Sequence, residues 1–180
     1  MQSISRLLIT LAVVVVSGFI AFKAINIAPS NHQEAPLKVS SSSLFAASYS
    51  DVFGHQQALK QWQGKVILVN FWATWCPPCR EEMPELSKIQ DKFRDQGVIV
   101  LGISTDDLEK TKSFIEGSPV SYPILVGDMN GLDLSQVLGN NRGILPYSLL
   151  IDQHGNIANV FQGRIDQALV EQTIQASLKP

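Results

Sequence analysis

The chain uses cysteine at only two of its 180 positions and histidine at only three. Two cysteines cannot build the multiple-bridge framework of a small disulfide-stapled domain, so the fold must rest on a hydrophobic core. Nor do they complete a tetrahedral metal site, because His32, His55 and His154 lie far apart and none falls at ligand spacing from the cysteines. Excess basic charge is lacking too: 14 Lys and Arg stand against 16 Asp and Glu, a net charge of −2. That argues against the electropositive surface a nucleic-acid partner requires. No internal repeat is present, which sets solenoids and propellers aside.

Apolar residues are plentiful but unevenly spread. Residues 7–22, LLITLAVVVVSGFIAF, contain no charge, and the apolar run extends to Ile27 across the single Lys23. This is close to the roughly 20 residues that span a bilayer. A cleaved signal peptide competes with that reading, with Arg6 in its basic region and Val16-Ser17-Gly18 at its end. The A-x-A cleavage pattern is missing, so a membrane anchor over residues 1–27 is the expectation. Arg6 and the amino terminus favour an N-terminus in the cytoplasm, which puts the rest of the chain on the oxidising side, in a periplasm or outside the cell. Residues 28–43, APSNHQEAPLKVSSSS, are polar and rich in Ser and Pro and read as a flexible tether. Residues 44–180 remain as one domain, the size expected of a single core.

Within that domain, residues 65–72 (KVILVNFW) and 97–105 (GVIVLGIST) are β-branched apolar runs suited to buried strands, with a helix between them. A second helix follows at residues 106–117, with Asp106 and Glu109 as a capping pair and Gly117 as its stop. The segments PYSLLID and NIANVFQG, joined through QHGN, predict an antiparallel hairpin, and residues 165–178 a closing helix. Parallel strands followed by a hairpin give an α/β fold with a mixed sheet flanked by helices.

Cys76 and Cys79 occur where the first strand ends and its helix begins, an edge at which α/β proteins commonly place chemistry. A disulfide closing so short a loop constrains the unfolded chain little, so its use is chemical rather than structural. At a helix N-terminus, unpaired N–H groups and the helix dipole favour thiolate over thiol, which makes Cys76 the expected nucleophile. Pro77 and Pro78 fit the first helical turn, where their missing N–H groups would have had no intrahelical partner. Cys79, one turn in, is expected to be more buried and to resolve a mixed disulfide formed at Cys76. The apolar helix row Leu86, Ile89, Phe93 continues backwards through Glu82 to Cys79. Glu82 is thereby a carboxyl on a buried row, expected to have a raised pKa and to relay a proton to or from Cys79. Pro84 removes one backbone hydrogen bond inside that helix and is expected to kink it. Of the flanking tryptophans, Trp75 is the better candidate to touch a client protein.

The stretch FWATWCPPCREEMPEL (residues 71–86), preceded by GKVILVN and followed later by LPYSLLIDQHGNI, resembles the membrane-anchored thioredoxin-like proteins of the TlpA/ResA type, with the cytochrome c biogenesis thioredoxins (CcmG/DsbE) close by. The resemblance covers residues 44–180. It implies a thioredoxin fold with a central insertion, placed within residues 119–141, and a redox-active Cys76–Cys79 disulfide outside a bacterial cytoplasmic membrane. It also implies that Pro146 is cis and faces the active site, leaving the backbone of Leu145 free to pair with an extended client segment. Glu82 matches the family's acidic residue three after the second cysteine. Two positions depart from the wider pattern: Asn70 stands where thioredoxin has a buried aspartate, and Tyr147 where the family often has Thr after the proline.

These readings converge on a tethered thiol:disulfide oxidoreductase that needs no cofactor, reduces client disulfides and is recharged by a thiol-type electron donor in the membrane. Apocytochrome c and copper-site assembly proteins are the expected client classes. The same dithiol run as an oxidant is the first alternative. A chaperone holding Cu(I) between the two thiolates is the second, disfavoured by the stiff Pro-Pro loop and by Cys79 on the buried row. A thiol peroxidase fits less well, because Thr74 precedes Cys76 by two residues where the peroxide-reducing families place Thr three before.

Overall fold

The computed structural model describes residues 40–179. The anchor expected at residues 1–27 and the tether up to residue 39 therefore lie outside the described residues, among which no helix is long and apolar enough to cross a membrane. The last tether residues belong to the folded body. Ser41 is buried and its hydroxyl donates to the Gly155 carbonyl, and helix α1 (Ser42–Ala46) drives Leu44 into the core. One apolar side chain, Leu44, anchors a segment whose composition alone reads as linker.

Among the described residues, seven strands form one mixed sheet. The two runs expected as central strands are β3 (Val66–Trp72) and β4 (Val98–Ser104), parallel and in register over their full length. The predicted hairpin is β6 (Tyr147–Ile151) with β7 (Ile157–Gln162), and β6 pairs antiparallel with β3. Its turn is closed by the Asp152 carboxylate, which accepts from the His154 and Asn156 N–H groups, with Gly155 in the left-handed region at φ 83°. Sequence reading leaves three short strands unassigned: β1 (Ser48–Asp51), β2 (Gln56–Ala58) and β5 (Ile124–Val126). They complete the order β2-β1-β5-β4-β3-β6-β7.

Helices cover both faces. On one lie α2 (Pro77–Phe93), α3 (Leu108–Gly117) and α5 (Gln167–Ser177), packed on Val66, Leu68, Trp72, Val98, Val100 and Leu150. On the other lie α1 and α4 (Asp128–Val137), against Ile67, Val69, Phe71, Leu101, Ile103 and Leu149. The alternation of odd and even strand residues between the two cores is the period of two expected for a sheet buried on both faces. The segment expected to hold an insertion, residues 119–141, contains β5 and α4. The α2 row is as predicted: Cys79, Glu82, Leu86, Ile89 and Phe93 are all buried, and the helix runs on through Pro84.

The capping of α3 differs from expectation. Asp107, not Asp106, is the N-cap, its carboxylate accepting from the Lys110 N–H at 2.9 Å. Asp106 is buried and turned the other way, toward the loop that precedes Cys76. With two adjacent aspartates, local sequence does not say which one caps; the neighbouring loop, which needs an acceptor, decides it. Gly117 is the last helical residue, and Ser118 follows it as the C-cap.

Candidate active site

The carboxyl end of β3 delivers residues 73–76 to the start of α2. Three contacts from the end of β4 fix this turn. The Trp72 carbonyl accepts from the Thr105 N–H at 2.9 Å and, more weakly, from its hydroxyl at 3.3 Å, while the Thr74 N–H donates to Asp106 Oδ2 at 2.6 Å. The Ser104 hydroxyl accepts from the Asp106 N–H and from the Thr111 hydroxyl, so the acceptor is itself held in place. Asp106, read from the sequence only as a helix cap, is thus a residue of the site.

Cys76 and Cys79 are joined in a disulfide. Cys76 is the N-cap of α2: its Sγ accepts from the Cys79 N–H at 3.3 Å, and its carbonyl accepts the first helical bond, from the Arg80 N–H. In the reduced protein the same N–H and the same helix end face a thiolate at Cys76, and both stabilise it. Cys76 is 3% exposed and Cys79 is fully buried, so the little of the pair that reaches the surface belongs to Cys76. Trp75, immediately before the pair, is 68% exposed.

The peptide joining Leu145 to Pro146 is cis, as expected. The Pro146 carbonyl accepts from the Gly163 N–H at 2.9 Å, which ties it to the end of β7. Leu145 is half-buried, and its backbone N–H and carbonyl form no hydrogen bond with another described residue. Tyr147 is buried against Phe71 on the face opposite α2, where its hydroxyl donates to the Leu138 carbonyl at 2.9 Å. Its ring therefore packs in the opposite core from Cys76 and Cys79.

Glu82 lies one turn beyond Cys79 on the buried row, with no exposed surface. Oε1 accepts from Asn70 Nδ2 at 2.7 Å, and Oε2 from the Ile165 backbone N–H at 2.9 Å. Ile165 follows Arg164, whose guanidinium bridges to Glu85 at 2.7 Å and reaches Glu81 at 3.8 Å on the exposed face of α2. The β7–α5 loop is thus pinned over the carboxyl. Burial pushes the Glu82 carboxyl up to about 7; the Ile165 and Asn70 hydrogen bonds and the Arg164 charge restrain the rise, and Glu85 adds to it. A carboxyl at that value exists in both protonation states near neutral pH, which is what a proton relay requires.

Comparison with known proteins agrees with this geometry. A family model described as AhpC/TSA matches residues 43–170. The thiol-disulfide oxidoreductase ResA of Halalkalibacterium halodurans is 32% identical over 131 residues, covering 72% of each chain. ResA of Geobacillus kaustophilus is 31% identical over 133 residues, 73% of each chain. Among solved structures, a thioredoxin-family thiol:disulfide interchange protein from Chlorobium tepidum superposes with a TM-score of 0.65 at 28% identity, over 74% of this chain and 93% of that one.

Proposed function

The chain belongs to the AhpC/TSA family and, within its thioredoxin-like members, to the ResA-type thiol-disulfide oxidoreductases, and from that premise we propose that it reduces client protein disulfides outside the cytoplasmic membrane, tethered there through residues 1–27. The observation that carries the chemistry is the placement of Cys76 Sγ as the N-cap of α2, accepting the Cys79 N–H.

In the reducing direction the Cys76 thiolate attacks one sulfur of a client disulfide and expels the other as a thiolate. Cys76 and the client are then joined by a mixed disulfide. Cys79 gives its proton to the Glu82 carboxylate and attacks Cys76 Sγ, which releases the second client sulfur and forms the Cys76–Cys79 disulfide. The client gains two electrons and the protein loses two. A thiol-type donor in the membrane returns them by the same exchange run backwards. The unpaired backbone of Leu145, beside Pro146, suits an extended client segment, and the exposed Trp75 offers an aromatic contact. Apocytochrome c and proteins that assemble copper sites fit as clients, because both need free thiols before they bind haem or metal.

The direction is tested by equilibrating the full chain with thiol buffers of defined potential. A Cys76–Cys79 potential near the roughly −270 mV of thioredoxin supports a reductant, and a value approaching about −120 mV would assign the protein to oxidation of its clients instead.

A further inference from the structure

Strand β3 is buried along its whole length, and six of its seven residues are apolar; the exception is Asn70. A buried amide is costly unless its polar atoms are paired. Both Nδ2 hydrogens of Asn70 are directed into the site, one to Glu82 Oε1 at 2.7 Å and one to Ser148 Oγ at 2.9 Å. Its Oδ1 is buried with no partner among the described residues. The amide that carries this unpaired acceptor touches the Glu82 carboxyl through its other polar atom, Nδ2.

The two oxygens of that carboxyl are not equivalent. Oε2 faces the Ile165 backbone N–H, a group that can only donate. A proton on Oε2 would confront another hydrogen, so the acid carries its proton on Oε1, the oxygen facing Asn70. A side-chain amide can respond where a backbone N–H cannot. A half-turn about χ2 exchanges Nδ2 for Oδ1 in the same volume and offers the unpaired oxygen to the Oε1–H. The amino group takes the place where Oδ1 has no partner, so that one unpaired polar site remains in either state. The Ser148 hydroxyl, donor and acceptor alike, reverses with it. An aspartate at residue 70 could not do this near neutral pH, because two touching carboxyls cannot both ionise.

We propose that Asn70 is a positioning residue for thiol–disulfide exchange: through Nδ2 it holds the Glu82 carboxylate, through Oδ1 it receives the Glu82 carboxylic acid, and the carboxyl keeps its place beside Cys79 in both states. The inference rests on the Glu82 relay proposed above. The titratable and charged groups that bear on Glu82 are Cys79 and Glu85 on its own helix, Arg164 on the β7–α5 loop and Tyr122 before β5. Strands β3 and β6 contribute Asn70 and Ser148.

The test follows the Glu82 proton directly, by carbon NMR titration of its side-chain carboxyl in the oxidised full chain, alongside the pH profile of exchange with a small disulfide. Asn70→Ala removes a donor to the carboxylate and an acceptor to the acid; the bond to the charged form is the stronger, so the Glu82 midpoint is expected to rise by up to about one pH unit, with the inflection in the exchange rate moving by the same amount. Asn70→Asp keeps the shape and is expected to split the titration into two coupled steps, which holds the test open if the alanine variant does not fold. A Glu82 midpoint unchanged in the folded variants would overturn the positioning role. If the midpoint moves but Glu82→Gln leaves the pH profile of exchange as in the wild type, the relay reading falls, and the catalytic part of this inference falls with it.

Discussion

The carboxylate of Asp106, just past the end of β4, accepts the backbone N–H of Thr74, two residues before Cys76, at 2.6 Å. The parallel pairing of β3 and β4 puts the ends of both strands at one edge, so a residue 32 positions away in sequence holds the active-site turn. Asp106→Ala leaves that N–H without its acceptor and is expected to cost about 1–3 kcal/mol of stability and to slow the reaction of Cys76 with disulfides. Asp106→Asn retains an acceptor oxygen and should recover most of both. Denaturant midpoints and stopped-flow exchange rates of the two variants decide it, and equal losses in both would remove the hydrogen bond as the cause.

Glu82 links stability to pH. Its carboxyl has an ordinary value of 4.5 and is raised to about 7 in the folded protein. Below pH 4.5 it is protonated in both folded and unfolded chains, and its contribution is fully present. Between pH 4.5 and about 7 the unfolded chain loses the proton while the folded chain keeps it, so stability falls with rising pH by about 3 kcal/mol, and the loss is complete above that window. The shifts of Asp51, Asp107, Asp152 and Glu171 run downward and give the opposite slope at lower pH. The difference between wild type and Glu82→Gln therefore isolates this residue: the variant should be the flatter of the two across the window, as measured by urea unfolding at several pH values. Parallel curves would contradict the assignment.

The unequal burial of the two sulfurs predicts an order of events. Cys79→Ser should accumulate a mixed disulfide with a client or a model disulfide through Cys76, visible as an added mass that reductant removes. Cys76→Ser should form none. Adduct at Cys79 in the second variant would show that the buried sulfur is reached first.

Trp75 exposes most of its surface and packs little against the core. Trp75→Ala should leave stability within about 0.5 kcal/mol of wild type. It should lower kcat/KM for a protein client about tenfold, the effect of losing roughly 1.4 kcal/mol of aromatic contact, while exchange with a small disulfide is unchanged. An equal loss on both substrates would place Trp75 in the chemistry rather than in client recognition.

The legible parts of this fold are those with strong local signals. The β-branched runs of β3 and β4, the Pro-Pro start of α2, its apolar row and the hairpin around Gly155 all carry their pattern within a few residues. The strands β1, β2 and β5 do not: β1 and β2 are three or four residues long with Ser, Gln and Asp among them, β5 is only Ile-Leu-Val and too short to show a period, and all three form because neighbouring strands are there to pair with. The helix at Ser42 is hidden for the same reason, since its Ser-rich composition reads as linker until Leu44 finds the core.

The site divides in the same way. A helix N-terminus acts on Cys76 through adjacent backbone, and a helical row carries Glu82 into the interior by spacing alone, so both follow from the order of residues. Which groups surround that carboxyl is a matter of strands and loops brought together from distant positions: Asn70 from β3, Ser148 from β6, Ile165 from the loop pinned by Arg164. The choice of Asp107 over Asp106 as the cap of α3 was settled across the sheet edge by the need of the Thr74 N–H. Sequence determined which atoms could do the chemistry, because the two cysteines and the carboxyl follow one another along the start of one helix. Only tertiary structure decided the protonation of that carboxyl, because desolvation and hydrogen-bond partners are properties of the packed interior and not of any segment.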